Sequence, residues 1–508
     1  MPDVMKKDPE SPATTSFEWD AMIDSWVRTE TLLGGTESMR EAGRLYLPQH
    51  EEETDPNYFE RLTTNVLFNV MEMTLDSFVG RPFAEPMELS EDMPDDIREM
   101  AEDIDLQGNN ISTFCREWFR EGIAKGFAHV IVDMPPLTED ILGDGEIPRE
   151  RTLADDRSEG RRPFWQLVKP ENVIFAESQF VSTQNGTHEM FTHVRIRQDV
   201  VQRVGFAQEI IEQILVLEPG IVEVWQKVRP TKKKKPEWKK VDEVGTGIDF
   251  IPMVTFYANR KGFMLSKPPL DDLAFMNVRH WQSNSDQINV LTVARFPMLA
   301  VAGATDQSGT MMRIGPRQLL GTRDPNGRFY YVEHSGAAIE AGENDLDKLE
   351  EQMGSYGAEF LKRRPGNETA TGRALDSAEA MSPLQDMTVR FIDAVNNALM
   401  FTGLWVDEDN AGTISLVTDF NADEADEADL SFLENMRERR DISRLAVIEE
   451  AKRRGKLSPD YDPEEDLRQL EREVELLKDI TPIIPGQIDP SERDSSSSSS
   501  SESSSQED

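Results

Sequence analysis

The sequence is short of the residue types that most disulfide-stabilised, metal-binding and hydrolytic proteins need. It has one cysteine, Cys115, and six histidines in 508 residues. A single cysteine excludes an intrachain disulfide and a zinc site built on cysteine pairs, and it fits a reducing cytosol. The closest histidines, His188 and His193, have a spacing that suits neither one helix face nor one strand face. We therefore expect no metal site there.

Long apolar stretches and catalytic motifs are also missing. No window holds 18 or more apolar residues, and residues 1–16 are polar and have no apolar signal core. This predicts a protein that is soluble and intracellular when made, without membrane contact. The sequence contains no phosphate-binding glycine loop, no His-Glu-x-x-His and no Gly-x-Ser-x-Gly. We expect no enzymatic activity, no catalytic or metal-ligating residues and no cofactor.

Cations are scarce relative to anions. Asp and Glu number 96 against 55 Lys and Arg, which gives a formal charge of -41. Such a surface opposes tight, non-specific binding of nucleic acid or anionic membrane. Lysines 232–235 lie between prolines and predicted strands, and a solvated hairpin tip is favoured over a nucleic-acid contact. Acidic clusters such as residues 51–53 and 423–429 are read as solvated faces, although divalent-cation ligands remain the alternative.

Residues 268–404 organise the chain. The pattern predicts a helix over 271–296 after a Pro-Pro stop signal, a small β-containing insert over 297–339, and a helix ending near 364. A polar, glycine-bounded loop follows, and then a helix from 373 to 404 with a kink or a short break expected at Pro383. The second helix repeats apolar residues at spacings of three and four, so another helix must cover this stripe.

The flanking regions are predicted from periodicity. Residues 17–47 read as helical with a break at Gly34-Gly35, residues 58–79 as one buried helix that includes Val66, and residues 111–125 as an amphipathic helix. β-Branched and aromatic runs at 128–132, 164–168, 173–175, 193–196, 211–217, 221–227 and 251–257 predict a mainly antiparallel sheet. Two acidic helices are expected near 428–453 and 463–477, before a Ser-rich tail.

This order of parts resembles the portal proteins of tailed bacteriophages. The resemblance covers about residues 40–480, and its most specific pieces are Phe68-Asn69 through Gly80-Arg81-Pro82-Phe83, Pro269-Leu270-Asp271-Asp272-Leu273 with Ser283 and Asp286, and Gly366 to Gly372 before Ala374-Leu375.

The resemblance implies an α+β, elongated, multi-part portal-type subunit. Its parts would be an N-terminal segment (1–39, partly disordered), a wing of helices followed by an antiparallel β-rich region (40–267), a stem helix (268–296), an α/β clip (297–340), a second stem helix (341–364), a tunnel loop (365–372), a kinked helix with a returning strand (373–422), a helical crown (423–482) and a disordered acidic tail (483–508).

The resemblance also implies roles for individual residues. The DNA-facing tunnel loop would contain Arg363, Arg364, Gly366, Asn367, Glu368, Thr369, Thr371 and Gly372. Stem and subunit packing would involve Leu273, Met276, Leu346, Leu349, Met353, Tyr356 and Phe360. Docking of terminase or adaptor at the clip would involve Arg313, Arg317, Arg323, Asp324 and Arg328.

The implied function is a homo-oligomeric ring, usually of twelve subunits, at one capsid vertex of the virion after assembly in the host cytoplasm. Its partners would be double-stranded DNA passing without sequence specificity, the large terminase, the major capsid or scaffolding protein and a head-tail adaptor. The alternatives are another virion structural protein, such as an adaptor or a minor head protein, and a carboxylate-based metal-dependent nuclease.

Overall fold

The computed structural model describes residues 8–135, 160–183, 186–229, 236–295, 298–302, 328–332, 336–359, 382–418 and 442–453, with a few single residues between them and up to 472. The chain divides into two compact units, Met1–Phe420 and Asn421–Asp508. The first unit mixes helices with several antiparallel sheets, so the predicted α+β class is confirmed.

The helices of the first unit fall into an N-terminal group and a later group. They are α1 Phe17–Leu33, α2 Gly35–Ala42, α3 Asp55–Thr64, α4 Val70–Gly80, α5 Asp95–Met100, α6 Ile111–Lys125, α7 Asp271–Ala294, α8 Gly336–Glu359 and α9 Pro383–Val406. Side chains cap several of their first turns: Ser16 accepts from Trp19 N and Asn110 from Thr113 N. Gly126 ends α6 in the left-handed conformation at φ 93°, which favours glycine.

The described strands form antiparallel ladders throughout. They are β1 Glu88–Leu89, β2 Phe127–Asp133, β3 Phe164–Val168, β4 Val173–Thr183, β5 Gly186–Arg197, β6 Val200–Val204, β7 Ala207–Ile211, β8 Gln213–Glu218, β9 Ile221–Val228, β10 Glu237–Gly245, β11 Met253–Tyr257, β12 Arg260–Gly262, β13 Leu265–Ser266, β14 Met298–Ala302, β15 Arg328–Val332 and β16 Ile414–Ser415. The main sheets have the orders β10-β9-β8-β5-β4 and β11-β2-β3. The predicted antiparallel sheet is confirmed.

An aromatic cluster holds α6 and α9 against the three-stranded sheet. The Phe391 ring of α9 lies 5.0 Å from Phe256 of β11, 5.1 Å from Phe119 and 5.2 Å from Trp118, centroid to centroid. All four side chains are at most 1% exposed. Full burial of one such side chain stabilises the folded state by about 1.5–3 kcal/mol, so this cluster is a large part of the core.

The prediction of one helix over residues 58–79 is wrong. The chain forms α3 and α4 with a break between them, and Val66 and Phe68 in the break are 58% and 41% exposed. The break is stabilised locally because the Asn69 side chain caps α4 by accepting from Glu72 N at 3.2 Å. The apolar periodicity of the sequence continues through this cap and therefore does not show the break.

The kink or short break predicted at Pro383 is the beginning of a helix. Pro383 is the first residue of α9, and the Ser382 side chain caps this end by accepting from Gln385 N at 3.2 Å. Proline is favoured at the first helical position because its missing N–H needs no partner there. Residues 360–381, which include the predicted beginning of this helix, lie outside the described residues.

Other boundaries differ from the sequence predictions. The helix α8 begins at Gly336, several residues before the predicted end of the β-containing insert near 339. In the insert, β14 pairs with β15 from Met298↔Val332 to Ala302↔Arg328, so its β content is confirmed. The strands β6, β7 and β10 were missed. β10 is largely polar, and β6 and β7 are short runs in which polar residues interrupt the apolar ones. Lysines 232–235 lie outside the described residues, between the paired strands β9 and β10.

The second unit is described through one helix, α10 Arg444–Arg453. Ser443 Oγ accepts from Ala446 N at 3.1 Å, and Arg444 Nη2 lies 2.9 Å from Asp466 Oδ2. This helix lies in the predicted helical segment 428–453. The Ser-rich tail lies outside the described residues.

Candidate functional site

The long helices α7 and α8 lie side by side and run in opposite directions. Gln287 Nε2, near the end of α7, donates to the Ile339 carbonyl near the beginning of α8 at 3.0 Å. The Tyr356 hydroxyl, near the end of α8, donates to the Pro269 carbonyl just before α7 at 3.3 Å. Each helix has 24 residues, a length of about 36 Å. We call α7 and α8 the stem pair, and the insert leaves it and returns to it at the same end.

The predicted stem residues pack within this chain. Leu273 of α7 is fully buried, and Leu349 and Met353 of α8 are 3% and 0% exposed. Met276, Leu346 and Tyr356 are half-buried, and Phe360 lies outside the described residues. The apolar stripe predicted on α8 is therefore the face of α8 that packs against α7. Packing between subunits remains a prediction for these residues.

Two glycines let α8 approach its neighbours closely. A Cβ on Gly342 would lie 2.1 Å from Gln287 Oε1, so the buried Gln287 side chain occupies the space that this glycine leaves. A Cβ on Gly357 would lie 3.0 Å from Thr74 Cγ2 of α4. A substituent at Gly342 would displace the flexible end of the Gln287 side chain, and one at Gly357 would press on Thr74 of α4.

Buried amide side chains hold α7 against the N-terminal helices. Asn65, which is fully buried in the break between α3 and α4, donates through Nδ2 to the Trp281 carbonyl of α7 at 2.8 Å. Asn284 of α7 donates in turn to Asn65 Oδ1 at 2.9 Å. The Asn65 amide therefore uses its donor and its acceptor on the same helix.

Asn277 makes the reciprocal contact from the α7 side. Its Oδ1 accepts from Met71 N at 3.0 Å, and its Nδ2 donates to the Phe68 carbonyl at 2.9 Å. Asn277 is fully buried. It satisfies the backbone at the beginning of α4, where the first N–H groups of a helix have no partner in the helix itself.

A buried arginine completes this contact. Arg61 is 5% exposed and forms a two-bond pair with Glu53, Nε to Oε1 and Nη2 to Oε2, both at 2.9 Å. Its Nη1 donates to Ser285 Oγ at 3.4 Å and to Asp286 Oδ1 at 3.3 Å. The hydrogen bonds from Arg61 lower the pKa of Glu53. We call Arg61, Asn65, Asn277 and Asn284 the polar anchor.

The first turn of α7 is held by cations as well. Asp271 Oδ1 accepts from Ser25 Oγ at 2.9 Å and from Arg28 Nη2 at 2.5 Å. The Arg28 guanidinium also lies 3.7 Å from the centroid of the Phe275 ring. A carboxylate at this position complements the positive end of the helix dipole, so these contacts connect α1 to the beginning of the stem pair.

Charged side chains bridge the two stem helices. His280 Nε2 lies 3.0 Å from Glu350 Oε1, and Arg279 Nη2 lies 3.4 Å from Asp345 Oδ1. His280 is almost fully buried, whereas Arg279 and Asp345 are more than half exposed. The exposed pair contributes about 0–1 kcal/mol, and the His280 contact is the more constrained of the two.

Most other predicted site residues lie outside the described residues. Arg328 is the exception, and it is exposed at the beginning of β15. The tunnel-loop residues outside the description are Arg363, Arg364, Gly366, Asn367, Glu368, Thr369, Thr371 and Gly372, and the clip residues outside it are Arg313, Arg317, Arg323 and Asp324. Their roles stay predictions.

A charge cluster lies at the end of α6. The ammonium group of Lys125, whose side chain is fully buried, contacts carboxylates of Glu30, Glu171 at 2.6 Å and Glu121 at 2.9 Å. Burial disfavours the charged lysine, but the three carboxylates outweigh this and raise the pKa of Lys125. Since the carboxylates come from α1, α6 and the turn before β4, the cluster joins the helices to the sheet region.

A groove of about 570 Å³ runs along β3 and is lined by Asp105, Gln107, Asn109, Thr113, Phe114, Glu117, Phe164, Trp165, Gln166, Leu167 and Gln198. Burial of Asp105 favours its neutral form, yet hydrogen bonds from Asn109 and from two backbone N–H groups outweigh burial and lower its pKa. These bonds already occupy the carboxylate. The groove contains no reactive constellation of nucleophile and base among the described residues that line it.

Within the described part of the chain, no group of three or more His, Cys, Asp or Glu side chains has a geometry that could hold a metal ion. Within the same residues, no helix is both long enough and apolar enough to cross a membrane.

One family model and several solved structures are similar to parts of this chain. Residues 269–406 match a family model described as a domain of unknown function, DUF4055. This segment contains the stem pair and α9. No curated protein matches the chain significantly.

Solved structures similar to this chain include chains of gene transfer agent (GTA) particles. One is a chain of the neck of an empty GTA particle computed with C6 symmetry, at 10% identity and TM-score 0.36, covering 77% of this chain and 95% of that chain. Others are from the virion of a native particle, at 10% identity and TM-score 0.32, with coverage of 77% and 93%, and from the neck of a native particle computed with C12 symmetry, at 11% and 0.34, with coverage of 71% and 84%. At TM-scores below 0.5 they do not assign a function.

Sequence reasoning found the stem pair but missed the polar anchor. Asn65, Asn277 and Asn284 are single residues whose partners are more than 200 residues away in the chain. One signal was present. An asparagine inside an apolar helix pattern competes with the helix backbone for hydrogen bonds, and Asn65 and Asn69 flank the break.

Proposed function

We propose that this chain is a phage portal protein, a ring-forming subunit that surrounds a channel for DNA at one vertex of a capsid. The single observation that carries the proposal is the stem pair. Two long antiparallel helices pack against each other, and the polar anchor holds α7 to the N-terminal helices. A β-paired insert connects the two helices at the end near Gln287 and Ile339.

This arrangement suits a channel wall. Copies of the stem pair placed around an axis would present long, continuous helices to the lumen. The insert would lie at one end of the ring as the clip, and residues 365–372, which follow α8, would lie toward its other end as the tunnel loop. A closed ring of identical subunits ends its own growth because every contact surface is used.

The charge of the chain supports a conduit rather than a binding protein. With a formal charge of -41, the chain offers few cations to the phosphate groups of DNA. Each phosphate contact that is avoided lowers the affinity for DNA and weakens the dependence of that affinity on salt. DNA would therefore pass without sequence specificity and with weak contacts. The proposed role requires no catalytic residue in this chain, because a separate ATP-driven terminase would supply the work.

The proposed partners are those that the sequence resemblance to portal proteins implies. The clip would contact the large terminase during packaging and a head-tail adaptor afterwards, while the wing would contact the major capsid or scaffolding protein at the portal vertex. These partners belong to the proposal and rest on the sequence resemblance to portal proteins.

Negative-stain electron microscopy of the purified full chain tests the proposal. We expect rings with a central hole, usually of twelve subunits. Compact monomers as the only species at high protein concentration would contradict it. A second experiment deletes residues 366–372. We expect rings to form as before while DNA packaging is lost, and normal packaging by this variant would contradict the tunnel-loop assignment.

A further inference from the structure

Residues 8–14, near the N-terminus, form a turn that is closed by its own hydrogen bonds. Ser11 N donates to the Asp8 carbonyl at 3.4 Å, and Thr14 N donates to the Ser11 carbonyl at 3.1 Å. Glu10 N donates to Asp8 Oδ1 at 3.0 Å, and the Thr14 hydroxyl donates to the Asp8 carbonyl. A turn whose hydrogen bonds are local keeps them when it moves as a whole. We call residues 8–14 the N-terminal strap.

The N-terminal strap lies on one face of the sheet β10-β9-β8-β5-β4. Arg195 of β5 is directly opposite Val216 of β8, so the two side chains share this face. Arg195 Nη1 donates to the carbonyl of Pro12, which is buried. Ala13 packs against the small buried cluster that includes Ile214 and Val216. The strap therefore covers this face of the sheet.

The opposite face of the same sheet has a different cover. Val194 and Ile196 of β5 point to that face, because side chains alternate along a strand. They belong to a larger buried cluster that includes Met22 and Trp26 of α1. The face under the strap can consequently lose its cover without any change in this larger cluster.

The chain directly after the strap is fixed to α1 and to the sheet. Ser16 Oγ accepts from Trp19 N at 3.1 Å, and Ser16 N donates to the Ile174 carbonyl at 2.8 Å. Thr15 Oγ1 donates to Asp20 Oδ1 of α1 at 2.6 Å. Among the described residues, the bond from Arg195 at 3.2 Å is the one hydrogen bond that joins the strap to the sheet. The strap is thus fixed firmly at one end only.

Arg195 gains little from being covered. Its guanidinium carbon lies 3.9 Å from the centroid of the Phe175 ring, and its Nε is buried with no hydrogen-bond partner among the described residues. Burial lowers the pKa of Arg195, although the charge of Glu177 opposes this. A buried charge without full hydrogen bonding is costly. Water that reaches the guanidinium on opening would offset part of the packing lost at Pro12 and Ala13.

We propose that the N-terminal strap is a cover that opens and closes as a unit about the link between Thr14 and Thr15, while α1 and the sheet stay folded. The closed strap shields Ile214 and Val216, and the open strap presents them with Arg195 to solvent. Such local opening requires less free energy than unfolding of the whole unit, because it breaks few buried contacts. Opening involves a single chain, so it goes beyond the proposed function and does not depend on ring formation.

Thiol labelling of the full chain with a maleimide reagent tests this cover. The native Cys115 is fully buried and gives a low background. Val216→Cys places a thiol under the strap, and the matched control Val194→Cys places one on the opposite face of the sheet, at a fully buried position. Without denaturant, Val216→Cys should react at least about tenfold faster than Val194→Cys, because the strap opens more often than the whole unit unfolds. Low urea should accelerate labelling of Val194→Cys but hardly that of Val216→Cys, because local opening exposes little surface.

Changes in the strap supply an independent readout. Pro12→Gly removes a buried ring and frees the backbone, so labelling of Val216→Cys should become about fivefold faster. Glu10→Gln, at an exposed position of the strap, should leave the rate unchanged. In a chain without residues 1–14, Val216→Cys should react as fast as a thiol at the exposed position of Val244. Continued protection of Val194→Cys in that chain shows that the sheet is still folded.

Three results would overturn the proposed cover. Equal rates and equal urea dependence for Val216→Cys and Val194→Cys would mean that the strap opens only when the whole unit unfolds. A rate for Val216→Cys in the full chain equal to that of Val244→Cys would mean that the strap does not close. Unchanged labelling of Val216→Cys in the shortened chain would mean that the strap is not its cover. Each of these results leaves the portal proposal standing, since rings in the microscope test it separately.

Discussion

The side-chain amide of Asn65 donates a 2.8 Å hydrogen bond to the carbonyl of Trp281, inside α7. This contact joins residues 216 positions apart, and both residues are fully buried. A helix carbonyl in mid-helix already accepts from its own helix, so the second bond from Asn65 fixes where α3 ends along the axis of α7. The stem pair is therefore positioned by polar contacts as well as by its apolar stripe.

Replacing Asn277 by Ala should destabilise the first unit. The substitution removes the acceptor of Met71 N, which is buried, and one of the two donors to the Phe68 carbonyl, which keeps its bond from Val70 N. We expect the free energy of unfolding, measured by urea denaturation, to fall by about 2–4 kcal/mol. Asn57→Ala, at an exposed position of α3, is the control and should change it by less than about 0.5 kcal/mol. Equal effects of the two substitutions would contradict the role given to the polar anchor.

Gly357→Val should separate α8 from α4. The added side chain would overlap Thr74, whose Cγ2 lies 3.0 Å from a Cβ at this position. We expect a loss of about 1–3 kcal/mol in the free energy of unfolding. Gly354→Val is a matched control on the same helix, because nothing lies within 4 Å of a Cβ there. Thr74→Ala should partly restore the stability of the Gly357→Val variant, and no restoration would place the strain elsewhere.

Stability should fall with acidity because of His129. This residue lies in β2, fully buried, with Nδ1 2.8 Å from Thr255 Oγ1. Burial lowers its pKa from 6.5 to about 3. Between these values the unfolded chain binds the proton and the folded chain does not, so this contribution to stability is complete above pH 6.5 and is lost as pH falls. The expected slope is about 1.4 kcal/mol per pH unit from this group.

The slope can be isolated by comparing variants. We expect a plot of the free energy of unfolding against pH, between about pH 6 and 4, to be less steep for His129→Gln than for the unmodified chain by about one proton. His50→Gln alters an exposed histidine and should keep the original slope. Identical slopes for the His129→Gln variant and the unmodified chain would show that His129 is charged in the folded protein.

Lys125→Met should lower the free energy of unfolding, because the three carboxylates around Lys125 would lose their cation. Removing the buried cation leaves Glu30, Glu121 and Glu171 facing one another, and breaking such a pair costs about 3–5 kcal/mol. Burial favours neutral Glu30, but its contacts with Lys125 and Lys169 outweigh this and lower its pKa below 4.5. The stability that the lowered pKa of Glu30 provides is present above pH 4.5. It is lost as the pH falls through the pKa of Glu30 in the folded protein. The deficit of the variant should therefore be largest at neutral pH.

Thermal unfolding at pH 7 and at pH 4 measures this difference. Lys169→Met is the control, because Lys169 is 45% exposed and contacts the same carboxylates from the edge. It should cost less than Lys125→Met at both pH values. A deficit for Lys125→Met that is the same at both pH values would assign the loss to packing of the lysine stem.

Apolar periodicity was enough to find the elements that form the stem pair. The stripe through Leu349 and Met353 is short, regular and covered by α7, so the local pattern and the tertiary contact agree. The same reasoning failed between α3 and α4, where Val66 continues a helical pattern but is exposed. There the Asn65 and Asn69 side chains provide contacts that end one helix and begin the next, and their remote partners leave no periodic signal.

Apolar periodicity could not predict the strands whose sequences do not alternate between apolar and polar residues. The hairpin of β6 and β7 faces solvent on both sides, so its sequence carries no contrast between a buried and an exposed face. β10 carries Lys239, Lys240, Asp242 and Glu243 in succession and reads as a loop. The candidate site shows the same division: the packing stripe was predictable, whereas the polar anchor depends on residues brought together only by folding.

The anchor is not distributed evenly along α7. Asn277, Trp281, Asn284 and Ser285 hold the first two thirds of the helix, whereas after Gln287 the side chains of Asn289, Val290 and Thr292 are exposed. Local opening is governed by buried contacts. The free energy needed to open one turn should therefore fall from the middle of α7 toward Ala294. A helix of this kind can fray and reform next to the insert while its other end remains fixed.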